Sequence, residues 1–280
     1  MNKNNEKAIY QLGLSTVGKR KELATLIIAG KCAPVEVLEN KVLKNKFKID
    51  NSGTEEVYEQ EMEFFNNKNC NFAVLGDKNY PEHLYRLNSP PFICKWMGQL
   101  SKKPGICIVG ARRAYRKEME LASSLANKLG EAGYHIISGG AYGVDGAAHR
   151  GSFSSKGKTS VYLGGGFYHL YPERHIPLFR KIVKYKGALL SFLPLDLPPH
   201  AGTFIQRNKF MAAAAEAVIV IAAGKRSGSL YTAKFARKFG KKLFAVPGTK
   251  GCDKLLEKGA VAVHSIADYK IIQSETALHL

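Results

Sequence analysis

From residue 104 onward the chain alternates between two textures. Short unbroken apolar runs end in glycine, and each leads into a stretch with apolar residues at helical spacing. The first run is Ile106-Cys107-Ile108-Val109. A strand so uniformly apolar is buried on both faces, as in a parallel sheet. A helix is predicted over 115–130, with Met119, Leu121, Ala122, Leu125, Ala126 and Leu129 on its apolar side. Next come a strand from Tyr134 to Ile137, a helix over 143–151 and a strand Ser160-Val161-Tyr162-Leu163. The shorter run Ala188-Leu189-Leu190, then Val218 to Ile221, Lys242 to Val246 and Ala260 to Val263 complete the strand set. Such alternation implies right-handed crossovers and an α/β fold built on a doubly wound, mostly parallel sheet with helices on both faces.

Residues 1–65 read differently. Ala24 to Ile28 is an apolar helical centre, Pro34 sits where a helix first turn belongs, and Glu55 to Asn67 is an acidic helix with Val57, Tyr58, Met62 and Phe65 at helical spacing. Lys41 to Gly53 reads as a loop or short helix. Phe72 to Leu75 and Phe92 to Trp96 are strands, separated by Asn79-Tyr80-Pro81 and a short helix. The expected organisation is a small helical domain over 1–65, an α/β domain over 70–263 and a short tail over 264–280, too short for a winged-helix domain.

Charge changes this picture more than composition does. The chain has 280 residues, 42 of them Lys or Arg and 23 Asp or Glu, a net +19. Residues 1–70 carry net +1, residues 71–103 net +3 and residues 104–280 net +15. A folded domain with that field attracts polyanions, although it also serves solubility. The apolar stretch Met211 to Gly224 is broken by Glu216 and falls short of the ~20 residues of a membrane span. The N-terminus lacks a signal-peptide core. Five dispersed cysteines without a CxxC pair argue against a zinc site or disulfide framework and for a reducing cytoplasm. No membrane association, metal or cofactor is expected.

Ligands of such sheets bind beyond the carboxyl ends of the strands. There the sequence places Gly110-Ala111-Arg112-Arg113, then Ser138-Gly139-Gly140-Ala141-Tyr142-Gly143-Val144-Asp145, Gly164-Gly165-Gly166, and Gly224-Lys225-Arg226-Ser227-Gly228-Ser229. Glycine runs followed by helix N-termini build anion sites from backbone N–H groups. The dinucleotide GxGxxG and the P-loop are absent, so the phosphates fit a polymer better than a nucleotide cofactor. Arg207, Asn208 and Lys209 precede an apolar helix from Met211 to Ala215 and suit phosphate oxygens. Phe204 upstream is either a base-stacking ring or core. Asp145 and His149, four apart on one helix face, read as a packing pair rather than metal ligands or an acid–base pair. Ser227 and Ser229 read as helix caps or phosphate donors.

These residues resemble a known family. Gly110-Ala111-Arg112, SGGAYGVDGAAHRG, Tyr171-Pro172, GALLS, Phe204 with Arg207-Asn208, SGSLYTA and Ala245-Val246-Pro247-Gly248 are similar, in order and spacing over about residues 70–263, to the DNA-processing protein A (DprA/Smf) family. The resemblance implies a Rossmann-like domain, a small helical (SAM-like) N-terminal domain and a non-enzymatic role. Members bind incoming single-stranded DNA in natural transformation, protect it, load the RecA recombinase and form a homodimer through the Rossmann-like domain. It assigns DNA phosphates to Arg112, with Gly139, Gly140, Gly143, Arg207, Asn208, Ser227, Gly228 and Ser229 around it; the strand-end loops and the segment before Met211 add Gly110, Arg113, Ser138, Gly164, Gly165, Phe204 and Lys209 as candidate DNA contacts. The chain departs from the family pattern at Ala111, and at Phe192 and Ala222, where family members carry glutamates. Those two losses are expected to make the pocket more positive. The rival reading is a phosphoribohydrolase of the related LOG type, but SGSLYTAKFA lacks that group's catalytic acid.

Overall fold

The computed structural model describes residues 1–68, 70–101, 105–155 and 157–276. Pro104, where the α/β texture begins, and residues 277–280 at the end of the expected tail lie outside the described residues. The N-terminal part is five helices, α1 (Lys3–Leu14), α2 (Arg20–Ile28), α3 (Pro34–Glu39), α4 (Lys41–Phe47) and α5 (Thr54–Asn67). A two-residue antiparallel ladder links β1 (Thr16–Val17) and β2 (Ile49–Asp50) among them. The polar stretch after Lys41 thus becomes a helix: the Asn40 side chain caps it by accepting from the Val42 and Leu43 N–H groups.

The remaining strands are β3 (Cys70–Val74), β4 (Ile93–Gly98), β5 (Gly105–Gly110), β6 (His135–Ser138), β7 (Thr159–Tyr162), β8 (Ala188–Ser191), β9 (Ala215–Ile221), β10 (Lys242–Ala245) and β11 (Val261–Ala262). They form one nine-stranded sheet in the order β11-β10-β9-β5-β6-β7-β8-β4-β3. The seven strands from β5 to β11 are mutually parallel, whereas β4 runs antiparallel to β8 and β3 antiparallel to β4. The lead-in strands thus extend the same sheet. Helices α6 (Arg116–Glu131), α7 (Val144–Ser154), α8 (Ile176–Lys184), α9 (Ala201–Ala214), α10 (Ser229–Lys238), α11 (Lys250–Leu256) and α12 (Tyr269–Glu275) pack around it. Two apolar layers result, one against each face. Ile106, Ile108, Ile136 and Ile219 point into one, and Cys107, Val109, Ile137, Val218 and Val220 into the other, which continues into the N-terminal helices. Alternate residues of each strand face opposite layers, so the strands are apolar throughout.

Two expected boundaries move. The helix expected from Met211 begins at Ala201, ten residues earlier. The stretch after 263 is not a bare tail: α12 packs on α6 and buries Ile272 completely.

The helical unit is fastened to the sheet by a buried cluster. Lys95 of β4 is fully buried and pairs with Glu61 of α5. Glu61 also accepts from the Tyr10 hydroxyl and from the Leu195 N–H (2.6 Å), while Lys95 Nζ donates to Leu193 O (3.0 Å). Burial pulls the Lys95 pKa down and Glu61 opposes it.

Candidate functional site

From β5 the chain builds outward through β6, β7 and β8; from β9 it builds the other way through β10 and β11. The loops leaving β5 and β9 therefore diverge, and a crevice opens at their carboxyl ends. It is a cavity of about 430 Å³ whose lining includes Gly110, Arg112, Arg113, Asp145, Phe204, Arg207, Asn208, Ser227, Gly228 and Ser229, with Arg226 and Thr232.

Its floor is set by α9. His200 caps that helix, accepting the Gly202 N–H at Nδ1 (3.2 Å), and Thr203 Oγ1 accepts the His200 N–H (2.9 Å). Arg207 and Asn208 therefore stand inside the helix and are buried, not ahead of it as expected. Arg207 Nη1 donates to Gly139 O (2.5 Å) and Tyr162 O (2.9 Å), tying the ends of β6 and β7 together. A Cβ at position 139 would lie 1.8 Å from that nitrogen, so only glycine admits the guanidinium. Burial lowers the Arg207 pKa and Asp145 opposes the shift. The Asp145 carboxyl is pushed up by burial and held back by Arg207 and by N–H groups. Two of those N–H donors are Gly139 (3.2 Å) and Ala141 (3.4 Å). Gly143, at φ +70°, brings the same loop within contact of Ala111 O, which accepts the Val144 N–H (3.2 Å).

The wall opposite is the start of α10. Asn208 Nδ2 donates to Gly228 O (3.1 Å), and Ser227 and Ser229 share a hydroxyl hydrogen bond of 2.7 Å. The Leu230 and Tyr231 N–H groups already donate to Ser227 O (3.1 Å) and Gly228 O (3.2 Å), so this end offers an anion the positive potential of the helix and the two serine hydroxyls rather than a full set of N–H donors. Arg112, Arg113 and Arg226 are exposed at the mouth. The Arg112 and Arg207 guanidinium carbons lie 5.3 Å and 5.7 Å from the Phe204 ring centroid. Phe204 is half-buried and already carries two cations, so it orients Arg112 and is neither core nor a bare stacking platform.

Several expected site residues stand outside the cavity. Ser138 is fully buried and its hydroxyl donates to Ile108 O (2.6 Å). Gly140 O is held by His175 Nδ1 (2.8 Å), and Gly165 O accepts from Ser191 Oγ (2.9 Å). Gly164 supports the Phe204 ring from below. Lys209 is half-buried on another face of α9, its pKa lowered by burial and then by Lys238. Asp145 and His149 do not hydrogen-bond to each other. Thr159 Oγ1 donates to Ile136 O (2.9 Å), which leaves His149 Nδ1 as the donor to Thr159 Oγ1 (2.7 Å). Burial pulls the His149 pKa down to about 3. The two expected carboxylate losses do not charge this cavity either. Phe192 packs on Phe210 (4.3 Å between centroids), and Ala222 lines a separate hollow beside α6 and the end of β10. No group of three or more His, Cys, Asp or Glu side chains among the described residues is placed to hold a metal ion.

Three lining residues are not read as site residues from the sequence, Val109, Met211 and Thr232. Thr232 follows Ser229 by three positions and so shares its helix face, which is the signal that would have found it. Thr232 Oγ1 and Arg207 Nε are both buried and without a hydrogen-bond partner among the described residues. A bound group with oxygen acceptors would satisfy both.

Comparison with known proteins bears on the fold and the family. The DNA processing protein DprA of Bacillus subtilis is 33% identical over 213 residues, 73% of this chain and 71% of that protein. The X-ray structure of DprA from Streptococcus pneumoniae superposes with a TM-score of 0.74 at 25% identity, covering 96% of this chain and 98% of that one. A Helicobacter pylori DprA structure, described for its single-stranded DNA binding mode, matches with a TM-score of 0.65 at 28% identity, covering 73% and 97%. The chain spans about half the length of other curated relatives it matches. The sequence model of the DNA recombination-mediator protein A family covers residues 71–273, from the first residues of β3 into α12, and the chain belongs to that family.

Proposed function

We propose that this protein binds single-stranded DNA through the crevice between β5 and β9, without catalysing a reaction on it. One observation carries the reading. Exposed arginines, a helix N-terminus and two unpartnered buried polar atoms converge on a single cavity in the region that holds +15 of the net charge. A phosphodiester presents the acceptors those groups lack. The Helicobacter pylori relative's described single-stranded DNA binding lends further support. Against the phosphoribohydrolase reading, the cavity lining contains one carboxylate, Asp145, and backbone N–H groups and Arg207 already engage it.

The finer role extends the family resemblance: protection of incoming DNA in natural transformation, delivery to RecA, and pairing of two copies through the Rossmann-like part. Light scattering tests the pairing, and a concentration-independent mass near 30.8 kDa counts against it. RecA delivery is tested by filament assembly on oligonucleotides coated with a single-strand-binding protein. The DNA reading is tested by salt titration. Log affinity for a single-stranded oligonucleotide is expected to fall with log salt at about −0.7 per phosphate contacted. A flat response overturns it.

A further inference from the structure

Of the seven exposed tyrosines among the described residues, Tyr85 accepts the Gly76 N–H, Tyr168 meets the Phe64 ring (5.3 Å between centroids), and four others gather at one edge. Tyr115, Tyr142, Tyr171 and Tyr231 are 76%, 37%, 45% and 46% exposed. All four stand at the carboxyl edge of the sheet, on the loops and helix starts next to those that line the cavity, and Tyr142 also meets the His175 ring edge-on (5.0 Å between centroids). Tyr115 caps α6 two residues after Arg113, and Tyr142 follows Ala141, another lining residue. Tyr231 precedes Thr232 in the first turn of α10, and the Tyr171 ring lies 6.0 Å from Phe204. The opposite edge offers Tyr185, which closes α8 just before β8 begins.

Phosphate chemistry does not explain this rim. A tyrosine ring exposed to this degree leaves apolar surface in water, and four around one cationic mouth ask for flat apolar partners that arrive with negative charge. Unpaired nucleobases are such partners; in a duplex the same base faces are stacked on one another and out of reach. Phe204 is occupied by Arg112 and Arg207, so the stacking surface has to lie further out.

We infer that Tyr115, Tyr142, Tyr171 and Tyr231 form a base-stacking rim that selects single-stranded over double-stranded DNA while the cavity holds the backbone. The inference rests on the DNA-binding reading above and adds to it the part of the ligand that is read. Stacking tolerates every base, so the rim confers strand preference with little sequence preference.

The test compares a short oligo(dT) with an abasic deoxyribose-phosphate oligomer of equal length and charge, by fluorescence anisotropy on the full chain. The wild type is expected to prefer oligo(dT) by about ten-fold or more, the gain of one or two stacked bases. Combining Tyr115→Leu, Tyr142→Leu and Tyr231→Leu should abolish that preference while affinity for the abasic oligomer and the salt slope persist. Tyr185→Leu, at the far edge, should keep the preference, and thermal unfolding checks that each variant folds. Equal wild-type affinity for the two oligomers overturns the rim and leaves phosphate binding standing. So does an equal loss on both oligomers in the triple variant. Binding to neither oligomer overturns the rim together with the DNA reading on which it rests.

Discussion

Two buried cations hold this molecule together, and they do different work. Lys95 sits where the helical unit meets the sheet, and Arg207 sits beneath the crevice. Lys95 is a compact ammonium matched by one carboxylate, one carbonyl and the face of Tyr10, 5.2 Å from its ring centroid. Its donors are engaged and it faces no ligand cavity. Arg207 is a planar fork with one arm on two strand-end carbonyls and its Nε unpartnered against the cavity. A lysine closes a junction, whereas an arginine can brace the backbone and still present donors to a ligand. Burial lowers the pKa of both, and a nearby acid opposes it in both, so the difference lies in donor geometry and not in charge.

The sharpest way to break this comparison is at the junction. Lys95→Ala leaves Glu61 buried with its cation gone and should cost about 3–5 kcal/mol of stability in urea unfolding. Pairing Lys95→Met with Glu61→Gln should recover most of that, since Gln still accepts from Leu195 N–H. Where these variants remain folded, DNA affinity should be unchanged. A single-variant loss below about 1 kcal/mol would mean that the junction is not locked by this pair.

Arg207→Met should act on both sides of the comparison. It frees Asp145 of its counter-charge and two carbonyls of their donor, so about 2–4 kcal/mol of stability should go. DNA affinity should fall in the same variant. Intact affinity would make Arg207 a brace alone.

Arg112 separates the two effects. Arg112→Ala should weaken single-stranded DNA binding about ten-fold to a hundred-fold, from a charge-assisted contact of about 1.5–3 kcal/mol. Unfolding should not change, because the side chain is exposed. Arg112→Lys should rescue only in part, lacking the planar fork on Phe204. Lys128→Ala, which breaks only an exposed pair with Glu131, should change neither quantity appreciably. Equal small losses at 112 and 128 would replace the pocket by a diffuse field.

The pH effect is graded rather than a single loss. Burial depresses the His149 pKa from 6.5 to about 3, and those of His83 and His135 to about 4. The unfolded chain therefore binds protons first as pH falls. Stability from each histidine is complete above about pH 6.5 and is lost progressively toward its folded value, by up to about 1.4 kcal/mol per pH unit. His149→Asn should flatten the dependence of unfolding on pH between pH 6.5 and 4 by about that slope. An unchanged slope would mean that His149 is not buried neutral.

Most strands and helices were legible because apolar runs and helical spacing are local. Ile106 to Val109 and Val218 to Ile221 read as two-faced strands and are β5 and β9. The start of α9 was not legible. Its cap is a histidine with threonine three residues on, outside the usual set of capping side chains, so the apolar pattern alone places the helix start near Met211. That shift moves Arg207 and Asn208 from the stretch ahead of a helix to a buried floor within it.

Sequence alone determined the α/β alternation, the concentration of charge after residue 104 and the glycine–arginine loops at strand ends, because each depends on residues close together in the chain. Tertiary structure decided which of those residues meet. Arg207 reaches Gly139 O across 68 positions and Tyr162 O across 45, and Asn208 reaches Gly228 O across 20. It sent Ser138 into the core and Lys209 to another helix face, and split Asp145 from His149. Strand order is the physical reason: β5 and β9 are neighbours in the sheet although β6, β7 and β8 lie between them in the chain. The crevice exists only once that pairing is made.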